Sequence, residues 1–199
     1  MQFEHSRTCT NLARSFAGES QAGMRYQLIA KQATAEDLPV LADTVRTVAK
    51  NETYHAKSFY DALVRAGGNF DNVPLQGAGY PFRFGTLAEN LAFAAGDERA
   101  EFEDVYPKFA AEAREEGYEE IAALFERVAG VEREHEILFR FLHGAVKEGA
   151  LYRREKPTLW ICSQCGFRAV TREAWQLCPL CKAGQGYVEI ALPFDNGSR

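Results

Sequence analysis

Glu52-Thr53-Tyr54-His55 returns 80 residues later as Glu132-Arg133-Glu134-His135, and the reading of the whole chain starts from that repeat. A spacing of i, i+3 sets Glu and His on one face of a helix, where both can reach the same ion. Each pair also has a carboxylate upstream. Glu52 follows Glu19 by 33 residues, and Glu132 follows Glu98 by 34. One Glu from each of two helices, with Glu-x-x-His from each of two more, is the donor set of a two-metal site inside a four-helix bundle. Carboxylate and imidazole together suit iron or manganese, with zinc as a redox-inert substitute.

Helix geometry tests that idea. Glu36-Asp37 before Pro39 reads as a helix start, so a first turn falls near residue 34 or 35. Glu19 and Glu52 then lie about 15 and 17 residues either side of it, roughly 23–26 Å along antiparallel helices. Gly117 marks a second turn. Glu98 and Glu101 precede it, and Glu132 and His135 follow it, by about 15–19 residues each, so all fall at one level near mid-bundle. Apolar residues at three-and-four spacing (Leu12, Phe16; Met24, Leu28; Leu41, Val45, Val48) predict helices near 8–32, 37–66, 86–115 and 118–146. Gly67-Gly68 stops the second, and Thr86-Leu87-Ala88-Glu89 is a capping box for the third. The glycine-rich stretch 67–85 reads as a loop, long enough to cross the length of the bundle.

The bundle reads as duplicated. Asn11-Leu12 and Asn90-Leu91 stand at the same distance before Glu19 and Glu98. The halves differ three residues further on, where Ala22 in the first corresponds to Glu101 in the second. Glu101 is therefore a seventh candidate ligand, against the alternative of a surface residue in an acidic run. Tyr26 and Tyr106 are candidate hydrogen-bond donors to a ligand carboxylate, with a core aromatic as the equal alternative. Tyr54, His5, His143 and Cys9 receive no role.

Beyond Gly149 the composition changes. A bundle over 1–148 is followed by a charged linker, 149–157, and a small domain, 158–199. Cys162-x2-Cys165 and Cys178-x2-Cys181 provide four thiolates for a tetrahedral iron or zinc; spacing does not choose between them. So short a segment cannot bury enough apolar surface to fold without such a staple. Paired cysteines of this kind point to a reducing, cytoplasmic setting. A net charge of −5 gives no basic footprint for nucleic acid, and no run of apolar residues is long enough for a membrane span. The N-terminal Met1-Gln2-Phe3-Glu4-His5 lacks the apolar core of a signal peptide.

These parts, in this order, resemble the rubrerythrins. The matching segments are Phe16-Ala17-Gly18-Glu19-Ser20-Gln21-Ala22, Glu52-Thr53-Tyr54-His55, Glu98-Arg99-Ala100-Glu101, Tyr106-Pro107, Glu132-Arg133-Glu134-His135, Cys162-Ser163-Gln164-Cys165-Gly166 and Cys178-Pro179-Leu180-Cys181. One departure is Asp97, which stands between Gly96 and Glu98 where the family's glycine usually adjoins the ligand. The resemblance implies an all-α ferritin-like four-helix bundle with a β-rich rubredoxin-like tail. It implies three irons per chain: a diiron pair in the bundle and one iron on four cysteines. It also implies reduction of hydrogen peroxide to water, exchange of Glu101 and His55 as ligands to one iron, an external donor (rubredoxin or an NAD(P)H-dependent reductase) and a head-to-tail homodimer. The rival readings are ferritin-like iron oxidation and storage, and a zinc-filled structural or partner-binding module.

Overall fold

The computed structural model describes residues 2–67, 70–75 and 78–194. Of the predicted crossover, residues 68–69 and 76–77 lie outside the described residues, as do Met1 and residues 195–199 of the predicted tail. Five helices carry the first three-quarters of the chain: α1 (Arg7–Ala35), α2 (Pro39–Arg65), α3 (Leu87–Ala100), α4 (Tyr106–Glu115) and α5 (Glu119–Lys147). Glu101–Val105 joins α3 to α4 without a break, as one π-turn. The predicted third helix is thus a single rod with one irregular turn, and the architecture is a ferritin-like four-helix bundle followed by a rubredoxin-like domain. Among the described residues no helix is long and apolar enough to cross a membrane.

The two hairpin turns are built alike. At the end of α1, Asp37 adopts a left-handed conformation (φ 58°), its N–H donates to Thr34 O, and Leu38 N–H donates to Ala33 O at 2.9 Å. At the end of α4, Gly117 does the same (φ 87°), with Gly117 N–H on Arg114 O and Tyr118 N–H on Ala113 O at 2.8 Å. This pair of bonds closes the orphan carbonyls of a helix C-terminus. The capping box at Thr86 is present: Thr86 N–H donates to Glu89 Oε2 at 2.9 Å, and Glu89 N–H donates to Thr86 Oγ1 at 3.3 Å. Helix α1 has a long-range cap, because Glu116 accepts the first N–H groups, those of Arg7 (3.0 Å) and Thr8 (2.9 Å).

Two compact units divide the chain. The first draws on the described residues of Met1–Arg25, Val48–Arg83 and Gly96–Glu136. Its apolar centre is a cluster in which Phe59, Tyr106 and Phe125 stack with ring centroids 5.3–6.0 Å apart, sealed by Leu12 and small alanines. Every candidate bundle ligand lies in this unit. The second draws on the described residues of Tyr26–Thr47, Phe84–Ala95 and Ile137–Arg199. It contains an antiparallel ribbon, β1 (Arg153–Ile161) and β2 (Arg168–Glu173), paired Trp160 to Ala169 and irregular between Arg153 and Thr158. Strand β1 takes in residues 153–157, which charge alone presents as linker. Trp160 is buried and its Nε1–H donates to Thr171 O. Gly186, also buried, presses on the α1–α2 turn: a Cβ there would collide with the Asp37 carbonyl oxygen.

Candidate metal centres

Glu19 stands on α1, Glu52 and His55 on α2, Glu98 on α3, and Glu132 and His135 on α5. They form two overlapping sets, Glu19–Glu52–His55–Glu132 and Glu52–Glu98–Glu132–His135, with all ligand atoms in each set within 4.8 Å of one another. Glu52 and Glu132 belong to both sets, which is the arrangement of carboxylates that bridge two ions. The remaining members belong to one set each, Glu19 and His55 to the first, Glu98 and His135 to the second. The imidazole rings lie nearly parallel, 5.7 Å apart. The backbone fits this closeness at Gly23, where a Cβ would come within 3.2 Å of Ala49 O and 3.4 Å of Glu52 Cβ.

Such a concentration of buried carboxylates needs compensation. His55 Nδ1 lies 2.8 Å from Glu132 and 3.0 Å from Glu52; His135 Nδ1 lies 2.7 Å from Glu132 and 3.0 Å from Glu52. Burial works against both imidazolium ions, but hydrogen bonds to Glu132, Glu19 and Glu52 push His55 up to about 12, and those to Glu132 and Glu52 push His135 up to about 9. Burial likewise opposes the Glu52 carboxylate, yet His135 and His55 hold it down at about 2. Glu19 goes the other way: burial, then the charges of Glu132 and Glu52, raise it despite His55. Two protonated histidines thus supply charge where two metal ions would.

The donors fit such ions. One oxygen each of Glu19, Glu52 and Glu132 is buried with an imidazole nitrogen as its charged neighbour but no well-directed hydrogen bond, a position that a cation would complete. Both histidines direct Nδ1 inward, and the side-chain amide of Asn51 sits 3.2 Å from His135 Nε2, where it can fix the ring. Asn51 was not legible as a site residue, because its only signal is adjacency to Glu52.

Tyr106 donates its hydroxyl to Glu19 Oε1. Tyr26 is buried in the second unit, its ring 4.8 Å from Phe139. Glu101 stands in neither ligand set, but its carboxyl senses them: burial first, then the charges of Glu19, Glu132 and Glu52, raise it well above the ordinary range.

The π-turn explains how Tyr106 arrives. Five α-helical residues after Glu101, a side chain would point roughly 140° away. Across a π-turn, i and i+5 come round to the same side. Pro107, within the first turn of α4, has no N–H to donate to the preceding turn, which favours the wider coil there. The sequence carried the trace of it. Glu19 to Asp37 is 18 residues while Glu98 to Gly117 is 19, although the turns at Asp37 and Gly117 are equivalent. The odd residue, which also makes the two Glu-to-Glu intervals 33 and 34, is absorbed at Glu101–Val105.

In the tail, Cys162, Cys165, Cys178 and Cys181 converge. Cys162 Sγ lies 3.7 Å from Cys181 Sγ, and Cys165 Sγ lies 3.6 Å from Cys178 Sγ. Four sulfurs placed tetrahedrally at about 2.3 Å from an ion stand about 3.8 Å apart, so the quartet is close to its bound dimensions. Each Cys-x-x-Cys turns back in the same way, with Gly166 N–H on Cys162 O and Lys182 N–H on Cys178 O, and with Gly166 and Lys182 both left-handed.

Comparison with known proteins agrees with this anatomy. The rubrerythrin family model matches residues 10–143. A rubrerythrin of Porphyromonas gingivalis is 39% identical over 184 residues, covering 92% of this chain and 90% of that protein. Rubrerythrin-1 of Clostridium acetobutylicum is 36% identical over 185 residues, 93% of this chain and 94% of that one. A rubrerythrin of Nitratidesulfovibrio vulgaris is 37% identical over 188 residues, with 93% and 94% covered. Among solved structures, mixed-valence nigerythrin superposes with a TM-score of 0.62 at 21% identity over 94% of this chain and 90% of that one. A bacterioferritin of Mycobacterium tuberculosis superposes with a TM-score of 0.61 at 20% identity over 71% and 86%. At such identities the two structures speak for the fold alone.

Proposed function

The chain belongs to the rubrerythrin family, and from that premise we propose that it is a non-haem diiron peroxidase, reducing hydrogen peroxide to water with electrons relayed through the cysteine site. Family, paired carboxylate–imidazole sets and cysteine quartet are together consistent with three irons per chain. The observation that carries the reading is the sharing of Glu52 and Glu132 by two ligand sets, in a chain that also holds a site of four thiolates. When bound, the iron pair supplies two electrons and open coordination positions, and the thiolate iron passes single electrons.

The reaction consumes two protons and two electrons per peroxide and yields two waters. Glu52 and Glu132, common to both ligand sets, would be shared by the two irons; Glu19 and His55 would hold one, and Glu98 and His135 the other. The Tyr106 hydroxyl fixes Glu19 Oε1. Glu101, close enough to the ligand sets to feel the charges of Glu19, Glu132 and Glu52, is placed to pass a proton to the departing oxygen, and Glu101 and His55 would be the two residues that alternate in holding one iron. In this division of labour the bundle, 1–148, performs the chemistry, and the tail, 158–199, receives electrons from rubredoxin or an NAD(P)H-dependent reductase in the cytoplasm. A homodimer lets one chain's tail serve its partner.

The test uses holoprotein reduced without oxygen and titrated with hydrogen peroxide. One peroxide consumed per two electrons, with iron staying bound at three per chain, is the expected result. Uptake and mineralisation of many irons per chain under oxygen would establish iron storage instead. Protein from its native host that is colourless and filled with zinc would establish the structural module.

A further inference from the structure

A cavity of about 360 Å³ runs between α1 and the α3–π–α4 rod. Its inner end is formed by Glu101 and Tyr106, so it opens on the carboxyl that the ligand sets leave out and on the hydroxyl that holds Glu19. One wall is a helical stripe of α1 that includes Arg14, Gly18 and Arg25. The outer side is covered by residues 78–81 of the segment that joins α2 to α3.

Among the described residues, Tyr80 and Arg83 tie that segment to the helices beside the cavity. Tyr80 donates its hydroxyl to Arg14 O at 3.1 Å, across 66 residues of sequence. Arg83 pairs with Asp97 on α3, and Asp97 also holds Arg25 of α1 at 2.6 Å. Asp97, the residue by which this chain departs from the usual glycine spacing, is therefore the anchor that joins strap, α1 and α3. The cavity has the makings of a route for a small polar solute. Arg14 and Arg25 line it together with Asp97, which pairs with Arg25, and Glu101, so the charges of the lining balance and suit a small neutral solute. Ser15, 4% exposed, brings to it a buried hydroxyl with no hydrogen-bond partner among the described residues.

We propose that this cavity is the entrance by which the oxidant reaches the metal pair, and that Tyr80 is a specificity-determining residue that admits hydrogen peroxide and holds back bulkier organic hydroperoxides. The proposal rests on the peroxidase reading for its substrate but not for its route. Gly18 supplies a second handle. Its missing Cβ would face Tyr80 Cε1 at 3.8 Å, ordinary contact, so a larger side chain there grows into the passage.

The experiment follows azide, a small anion that ligates ferric iron, by the growth of its charge-transfer band in oxidised holoprotein; iron per chain is counted in every variant. Tyr80→Ala should speed azide binding about fivefold or more, and should raise turnover of cumene hydroperoxide relative to hydrogen peroxide by a similar factor. Gly18→Leu should slow azide by about as much with iron content unchanged. Phe82→Ala, on the same strap but fully exposed, should change neither. Azide rates unmoved by both Tyr80→Ala and Gly18→Leu would overturn the entrance. An unmoved hydroperoxide ratio in Tyr80→Ala would overturn the selectivity. Azide rates that shift in a protein that turns over no peroxide would uphold the route and sink the peroxidase reading instead.

Discussion

The bundle gathers its donors from four helices, between Glu19 and His135, and buries all of them but the half-buried His55. The tail gathers its sulfurs from two knuckles at most 19 residues apart, and leaves Cys165 and Cys181 exposed. The difference is one of what holds what. In the bundle, stacked aromatics and long helices hold the carboxylates in place, and the cost of crowding them is met by protons on histidine. In the tail, a two-stranded ribbon around Trp160 offers little core, and the ion has to hold the protein. A metal is a guest in the first centre and a structural member in the second.

The sharpest way to break that contrast is to remove the tail's ion. Cys162→Ser with Cys178→Ser should unfold the ribbon outright, since a structural ion of this kind contributes on the order of 10 kcal/mol to folding. The bundle should keep its helices and two irons per chain. Hydrogen exchange on β1 and β2, read beside helical circular dichroism, decides it; a ribbon that stays protected means the tail has a core of its own. A smaller effect is expected at the carboxylate outside the ligand sets. Glu101→Ala, which restores the pattern of Ala22, should keep the fold and all three irons but slow peroxide turnover at least about tenfold, a loss of roughly 1.4 kcal/mol. Unchanged turnover at full loading would remove Glu101 from the chemistry.

The smallest effect concerns the protons that stand in for metal. In chelated protein, His135 at about 9 against 6.5 unfolded gives stability that is complete below pH 6.5 and lost as pH rises through 9. The raised carboxyls of Glu19 and Glu101 act in the same direction, losing their contribution as pH rises above their ordinary range. Glu52, held at about 2, contributes above its unfolded value of 4.5 and loses that contribution as pH falls through 2. The metal-free bundle should therefore melt highest near pH 5–6 and lower by several degrees at pH 9. Calorimetry at both values checks it, and equal melting temperatures would show that the histidines do not carry these protons.

The convergence of the candidate ligands was legible because two periodicities coincide: the helical i, i+3 spacing and the near-equal intervals that antiparallel hairpins impose. Thr86 and Gly117 were legible for a similar reason, since each announces a local backbone need. What escaped the sequence is contact across long separations. Tyr80 on Arg14 and Asn51 on His135 join residues 66 and 84 apart, and nothing in their neighbours forecasts it. The run Arg153-Arg154-Glu155-Lys156 looks like linker because it is charged; an exposed ribbon with one sheltered face tolerates that charge, and so it is strand. The π-turn lay between these cases, visible as a count of 34 against 33 but without a place until the backbone gave it one.

In the language of genes, that count is a single codon. Between equivalent turns, the second hairpin is one residue longer than the first. In an unbroken α-helix an added residue would rotate everything beyond it by about 100°; the wider π-turn at Glu101–Val105 takes it up instead. One triplet thus marks where two like half-sites diverge: the half that carries it has Glu101 followed by the wider turn, and the other has Ala22 in an unbroken helix. On the proposed peroxidase reading, two unlike ends let the site treat the two oxygens of its substrate differently, and one codon marks where the ends part.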